Sequence, residues 1–236
     1  MRKIGTLLFV GSLVFSMSVY MFTLNPVAFA YELDNTLSDE NINAFDEDEV
    51  QRLEDEISAL PIVDNPSVLT GDSNIASEAQ ISVNARTLAS SEPAGKGIIL
   101  VTTDKLKDKY PLGHAAIVYS AKYVVESLSD GVVLGGNNWS KTKNEYYACA
   151  PYDASMDDMG KAANYCHRRI GKPYNYNYYN INTRKKFYCS QLVYASYLDM
   201  FGINLNTDAF KDAAGNPIHP YELVSTPKTM LLAHYK

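Results

Sequence analysis

HAAIVYSAKYVVES, residues 114–127, is the stretch on which the fold of this chain turns. Two apolar, β-branched runs, His114–Tyr119 and Tyr123–Ser127, flank the polar triplet Ser120-Ala121-Lys122, a pattern that predicts an antiparallel hairpin. With that triplet as the loop, Tyr119 pairs with Tyr123, Val118 with Val124, and Ala116 with Glu126. His114 and Glu126 then share one face as diagonal neighbours, with Cβ atoms roughly 7 Å apart. A loop of two or four residues would send them to opposite faces. Glu126 is the one charged residue in YVVES. It is either an outward charge on a half-exposed strand or a carboxylate aimed at the imidazole.

Outward from the hairpin, Gly97–Asp104 (GIILVTTD) reads as a buried strand. A turn at Ser129-Asp130-Gly131 leads to a short strand over Val132–Leu134, and another strand lies near Glu145–Ala150. Ser155 is placed to N-cap a helix running to Ile170, with Asp158 giving a variant of the capping box and Gly171 stopping it. Met159, Ala162, Ala163, Cys166 and Ile170 would line its inner face. PYNYNYYNIN, from Pro173, is a tyrosine- and asparagine-rich loop: either one wall of a cleft or a surface loop packed on the sheet. A second helix follows from Cys189 to Phe201, ended by Gly202. Strands and helices are segregated rather than alternating, which predicts an α+β fold with an antiparallel sheet. Trp139 reads as a loop anchor rather than a sugar platform.

Cys189 opens the second helix. Cys189, Leu192, Val193, Ser196 and Tyr197 fall on one helical face, and the unpaired N–H groups of a helix start stabilise a thiolate. The backbone N–H of Cys189 could also help hold an oxyanion. The plainer alternative is a small core hydrophobe. A thiol nucleophile needs a base, and the chain has four histidines. His167, beside Arg168 and Arg169, reads as a surface residue, His234 lies in the C-terminal tail, and His219 sits among turn-formers. His114 heads an apolar strand between Gly113 and Ala115-Ala116, where small neighbours leave room for another element. A carboxylate at Glu126 could fix one imidazole nitrogen and aim the other at the sulfur. Cys149 and Cys166 are either a disulfide or two separate core thiols. The histidines and cysteines show no zinc-ligand spacing.

Charge divides the chain. From Tyr31 to Glu92 there are fifteen acidic residues against Arg52 and Arg86, net −13, whereas from Pro93 to Lys236 twelve acidic residues face seventeen basic ones, net +5. The first thirty residues (Arg2-Lys3, an apolar run, then Ala28-Phe29-Ala30) have the order of a signal peptide with a small-x-small cleavage site; a retained anchor helix is the alternative. No later segment reaches the roughly 18 apolar residues of a membrane span. Residues 31–92 have the composition of a chain that cannot fold alone, apart from helical spacing over Phe45–Leu60 (Val50, Leu53, Ile57, Leu60). They read as an acidic linker or a pro-segment. The remaining 144 residues suit a single domain, secreted to the exterior or the cell wall, where a positive balance suits an anionic surface. The basic residues are too scattered for nucleic-acid recognition.

The strings GHAAIV, VVES, GKPYN and YCSQLV, in that order, resemble the circularly permuted papain-like hydrolases, the YiiX-like and YycO-like branch of the NlpC cell-wall peptidase superfamily. The resemblance runs from about Gly97 to Pro227. It implies a permuted papain-like fold, an antiparallel sheet or half-barrel packed against helices, and places Cys189 as nucleophile, His114 as general base and Glu126 as orienting acid. It sets Tyr174 and Tyr188 beside substrate or oxyanion. It further implies a monomeric cysteine amidase or peptidase acting on a peptide or acyl-amide, peptidoglycan among them, through a thioester and without metal or cofactor. A lipid esterase or acyltransferase with the same triad, or a non-catalytic surface-binding protein, are the alternatives. Two departures stand out: Gln191, where relatives often carry an acid, and GKGIIL, where an aspartate usually follows the first glycine.

Overall fold

The computed structural model describes residues 44–62, 92–104 and 113–236. The leader expected over 1–30, and most of the acidic stretch expected over 31–92, lie outside them. The described strands are β1 (Ile99–Thr102), β2 (His114–Ser120), β3 (Tyr123–Leu128), β4 (Gly131–Gly136), β5 (Tyr146–Pro151) and β6 (Thr229–Tyr235). They form one open antiparallel sheet in the order β4-β3-β2-β1-β5-β6. The helices are α1 (Glu47–Ser58), α2 (Trp139–Thr142), α3 (Met156–His167), α4 (Cys189–Phe201) and α5 (Glu222–Ser225). The architecture is α+β, with an antiparallel sheet packed against helices, as the sequence predicts.

The hairpin keeps the expected register by an unexpected route. Val118 pairs with Val124, Ile117 with Val125 and Ala116 with Glu126, but β2 runs on to Ser120, which pairs with Tyr123. The turn is therefore two residues long, Ala121-Lys122, and Tyr119 is an extra residue bulged out of β2. A two-residue turn alone would flip the faces; one bulge restores them. Gly113, just before β2, has φ +56°, and a Cβ there would lie 2.5 Å from both the Thr102 carbonyl oxygen and the Tyr221 ring. Only glycine brings the chain into β2 at this spacing.

Caps place the two long helices. Ser155 accepts from the Asp158 N–H, and the Asp158 carboxylate accepts from the Ser155 N–H, closing the capping box at the start of α3. Met159, Ala162, Ala163 and Cys166 are buried as expected, but α3 ends at His167 and Ile170 lies outside it, 41% exposed. The three residues after His167 are already turn, so the periodicity ends one turn early. Helix α4 spans its predicted range and stops at Gly202, φ +69°. Helices α3 and α4 pack together against β2 and β3, while α5 covers β1, β5 and β6.

One strand has no counterpart in the sequence reading, and the helix expected from the spacing over Phe45–Leu60 is present as α1. TMLLAHY forms the edge strand β6, which puts His234 in the sheet rather than in a tail. Helix α1 is integral to the core: Val50, Leu53 and Ile57 are buried, and Phe45 meets the rings of Tyr178, Phe210 and His219 at 5.0–5.3 Å. The Leu60 carbonyl lies 3.0 Å from His234 Nδ1, fastening the end of α1 to β6. Ile57 is fully buried, so Ile57→Ala is expected to lower unfolding stability by about 2–5 kcal/mol. Urea titration measures this, and an unchanged midpoint would mean that α1 is not part of the folded unit.

Candidate active site

Three elements converge on His114. Strand β2 supplies the imidazole at its first residue, β3 brings Glu126 beside it, and α4 presents Cys189 at its own first residue. His114 Nε2 lies 2.7 Å from Glu126 Oε2, which leaves Nδ1 for the hydrogen bond between imidazole and Cys189 thiol. His114 is 4% exposed and Cys189 9%. The Glu126 carboxyl keeps a little solvent, with its side chain 15% exposed.

The electrostatics follow from this packing. Burial works against charge on His114, but the hydrogen bonds and charges of Cys189 and Glu126 outweigh it and hold the imidazole up at about 9. Burial also pushes the Cys189 thiol up, yet His114, together with the backbone N–H groups of Ala115 and Ser190, brings it below its ordinary value. Each group stabilises the charged form of the other. The remaining cysteines give the contrast. Cys149 and Cys166 are unpaired, point at the carbonyls of Leu223 and Leu192, and burial pushes both up to about 12. They are two separate core thiols, not a disulfide.

The other histidines are otherwise engaged. His219 is enclosed by Phe45, Phe210 and Tyr221 and held neutral by burial, down to about 3. His234 also meets a carboxylate, Glu145, at 2.8 Å, but its second nitrogen faces the Leu60 carbonyl rather than a thiol. His167 stacks on Tyr119 at 4.2 Å.

Trp139 does more than anchor a loop. It is 2% exposed, its ring stacks over the His114 imidazole with centroids 6.0 Å apart, and Tyr146 backs it edge-on at the same distance. It lies on the connection from β4 to β5, which skips three strands in the sheet order, so no local pattern in the sequence reveals it. Ser140, its neighbour, donates through both N–H and hydroxyl to the Glu92 carboxylate, and Asn137 Nδ2 donates to the Pro93 carbonyl at 2.7 Å.

The two tyrosines separate. Tyr174 is held beside the cysteine by a short parallel bridge to Phe187, and burial keeps its hydroxyl protonated well above the usual range, reinforced by Tyr178 and Cys189. Tyr188 is corrected: it is enclosed in the core, its hydroxyl donating to the Tyr178 carbonyl at 3.2 Å and accepting from the Ile218 N–H at 3.1 Å. Its hydroxyl is thus engaged with two backbone groups of the core. Gln191 also acts differently from a helix-start charge. Its Oε1 accepts from the Tyr188 N–H and from Asn175 Nδ2, and its Nε2 donates to the Asn180 and Thr183 carbonyls, over 2.9–3.3 Å. The bonds to Asn175, Asn180 and Thr183 tie the tyrosine loop and the residue after it to the start of α4, while the bond from Tyr188 closes the helix's own first turn.

Residues 94–213, half of the chain and the part that holds His114, Glu126 and Cys189, match the family described as permuted papain-like amidase enzyme, YaeF/YiiX, C92 family. The chain belongs to this family. A permuted papain-like amidase is a cysteine amidase or peptidase, so the chain is an enzyme of that kind rather than a surface-binding module. Among solved structures, the crystal structure of metalloprotein yiiX from Escherichia coli O157:H7 is similar to this amidase at 17% identity and a TM-score of 0.48, over 60% of this chain and 98% of that one. No curated protein matches it. Among the described residues, no group of three or more His, Cys, Asp or Glu side chains is placed to hold a metal ion. No helix among them is long and apolar enough to cross a membrane.

Iodoacetamide at pH 7 is expected to modify Cys189 while Cys149 and Cys166 stay unlabelled until the protein is denatured. His114→Ala should slow the reaction at pH 6 by more than about tenfold, because the thiol loses its charge partner. Peptide mapping after a timed quench measures both; equal labelling of all three thiols would refute the difference between them.

Proposed function

We propose that this chain is a secreted amidase or peptidase that cleaves amide bonds, those of cell-wall peptides being the first to test, through Cys189, His114 and Glu126. One observation carries the reading: a buried imidazole lies between a carboxylate at 2.7 Å and a thiol at a helix start. The leader-like first thirty residues support export, and the positive balance of residues 93–236 favours an anionic substrate surface.

Deprotonated Cys189 attacks the amide carbonyl carbon, and the carbonyl electrons move onto oxygen. The Cys189 N–H at the start of α4 and the Tyr174 hydroxyl are the donors that meet this oxyanion. His114 delivers its Nδ1 proton to the leaving nitrogen as the C–N bond breaks, giving a thioester and a free amine. Water then attacks the thioester, losing a proton to His114, and the Cys189 thiolate departs to leave a carboxylic acid. Glu126 keeps the imidazole oriented and stabilises its cation without taking the proton.

The sign of the pH dependence follows. Below the lowered Cys189 value the sulfur is protonated and attack stops; above about 9 the imidazole has lost the proton that the leaving group needs. Hydrolysis of cell-wall peptides should therefore show a bell with its alkaline limb near pH 9 and its acid limb below the ordinary thiol range. Cys189→Ala should abolish product formation, as followed by mass spectrometry of digests. A variant that retains activity would overturn the assignment. Tyr174→Phe should lower kcat by about 10²-fold with little change in KM if its hydroxyl meets the oxyanion; a loss confined to KM would make it a binding residue instead.

A further inference from the structure

Strand β4 reads GVVLGG, and glycine in a strand interior weakens it for want of a side chain to pack. Neither Gly135 nor Gly136 has the positive φ that would make glycine necessary to the backbone. The two face opposite sides of the sheet, and their surroundings differ. A Cβ on Gly136 would meet nothing closer than 3.6 Å, an ordinary contact with Asn138. A Cβ on Gly135 would lie 2.0 Å from Glu126 Oε1 and 3.1 Å from its Cδ. The register explains the approach: Glu126 pairs with Val133 and Val124 with Gly135, so Glu126 and Gly135 are diagonal neighbours on one face. One carboxylate oxygen rests on the bare backbone of Gly135 while the other meets His114 at 2.7 Å.

We infer that Gly135 is a positioning residue: its missing side chain is the seat that lets the Glu126 carboxylate lie flat over β4 and reach His114. The inference rests on the proposed roles of Cys189, His114 and Glu126, and deepens them. A methyl group at 135 displaces the tip of a flexible side chain, which can swing towards solvent at the sheet edge. The fold then survives, but His114 loses its carboxylate and Cys189 loses part of the cation that keeps it charged.

The test uses the full-length protein and needs no substrate. The rate of Cys189 alkylation by iodoacetamide is followed from pH 5 to 10 in the parent, Gly135→Ala, Gly136→Ala, Glu126→Ala, the Glu126→Ala/Gly135→Ala double variant and His114→Ala. Gly135→Ala is expected to shift the profile to higher pH, slowing labelling at pH 6 by about tenfold, as Glu126→Ala does. Gly136→Ala should follow the parent. In the double variant the second change should add nothing, because there is no carboxylate left to displace. If Gly135→Ala fails to fold, the double variant should regain folding, since the colliding group is gone; failure of both to fold would overturn the inference. A shift from Glu126→Ala and His114→Ala with none from Gly135→Ala would overturn the role of Gly135 alone. No shift from any of the three would overturn the proposed site along with it.

Discussion

The imidazole of His114 is cut off from bulk water, and burial there opposes a charge. Its cation persists because a carboxylate and a sulfur meet its two nitrogens from different elements, so each element must hold its place relative to β2 within hydrogen-bonding reach. On the strand side the constraint is register. A slip of one residue between β2 and β3 would turn Glu126 to the other face, and the bulge at Tyr119 is what allows a tight two-residue turn to coexist with the required pairing. On the helix side the constraint is where α4 begins. Tyr188 is held by the core on one side and by the Gln191 side chain on the other, so the first helical residue is Cys189 and no other.

Packing holds the surroundings of the imidazole in the same way. Trp139 lies over the imidazole and is itself backed by Tyr146, while the asparagine-rich loop is tied to α4 through Gln191. Tyr174, at the start of that loop, lies near the sulfur. The absence of a side chain at Gly113 and at Gly135 leaves the space into which chain and carboxylate fit. The placement of His114, Glu126 and Cys189 thus depends on many residues besides those three.

Much of this was legible in the sequence where local rules govern. Alternating aliphatics gave the hairpin, Ser155 and Gly202 bounded the helices, and counting along β2 and β3 put His114 and Glu126 on one face. Where non-local pairing governs, the sequence was silent. TMLLAHY reads as a tail because its partner, β5, lies some eighty residues earlier. Trp139 reads as an anchor because its meeting with His114 is set by a connection that skips three strands. Tyr188 was misplaced because adjacency to a cysteine in the chain says nothing about direction: at a helix start, successive side chains point about 100° apart. Gln191 was visible as a departure, but its four bonds were not.

Helix α1 bears on how the enzyme would respond to proteolysis. Three aliphatic side chains buried on it are worth roughly 1.5–3 kcal/mol apiece, and Phe45 and Leu60 fasten its ends. A cut anywhere between Ile62 and Glu92 would therefore yield a two-chain enzyme whose short acidic chain stays seated like a light subunit. A break in the chain between those residues need not release that helix, and an electrophoretic gel run under denaturing conditions would report two species where size exclusion reports one.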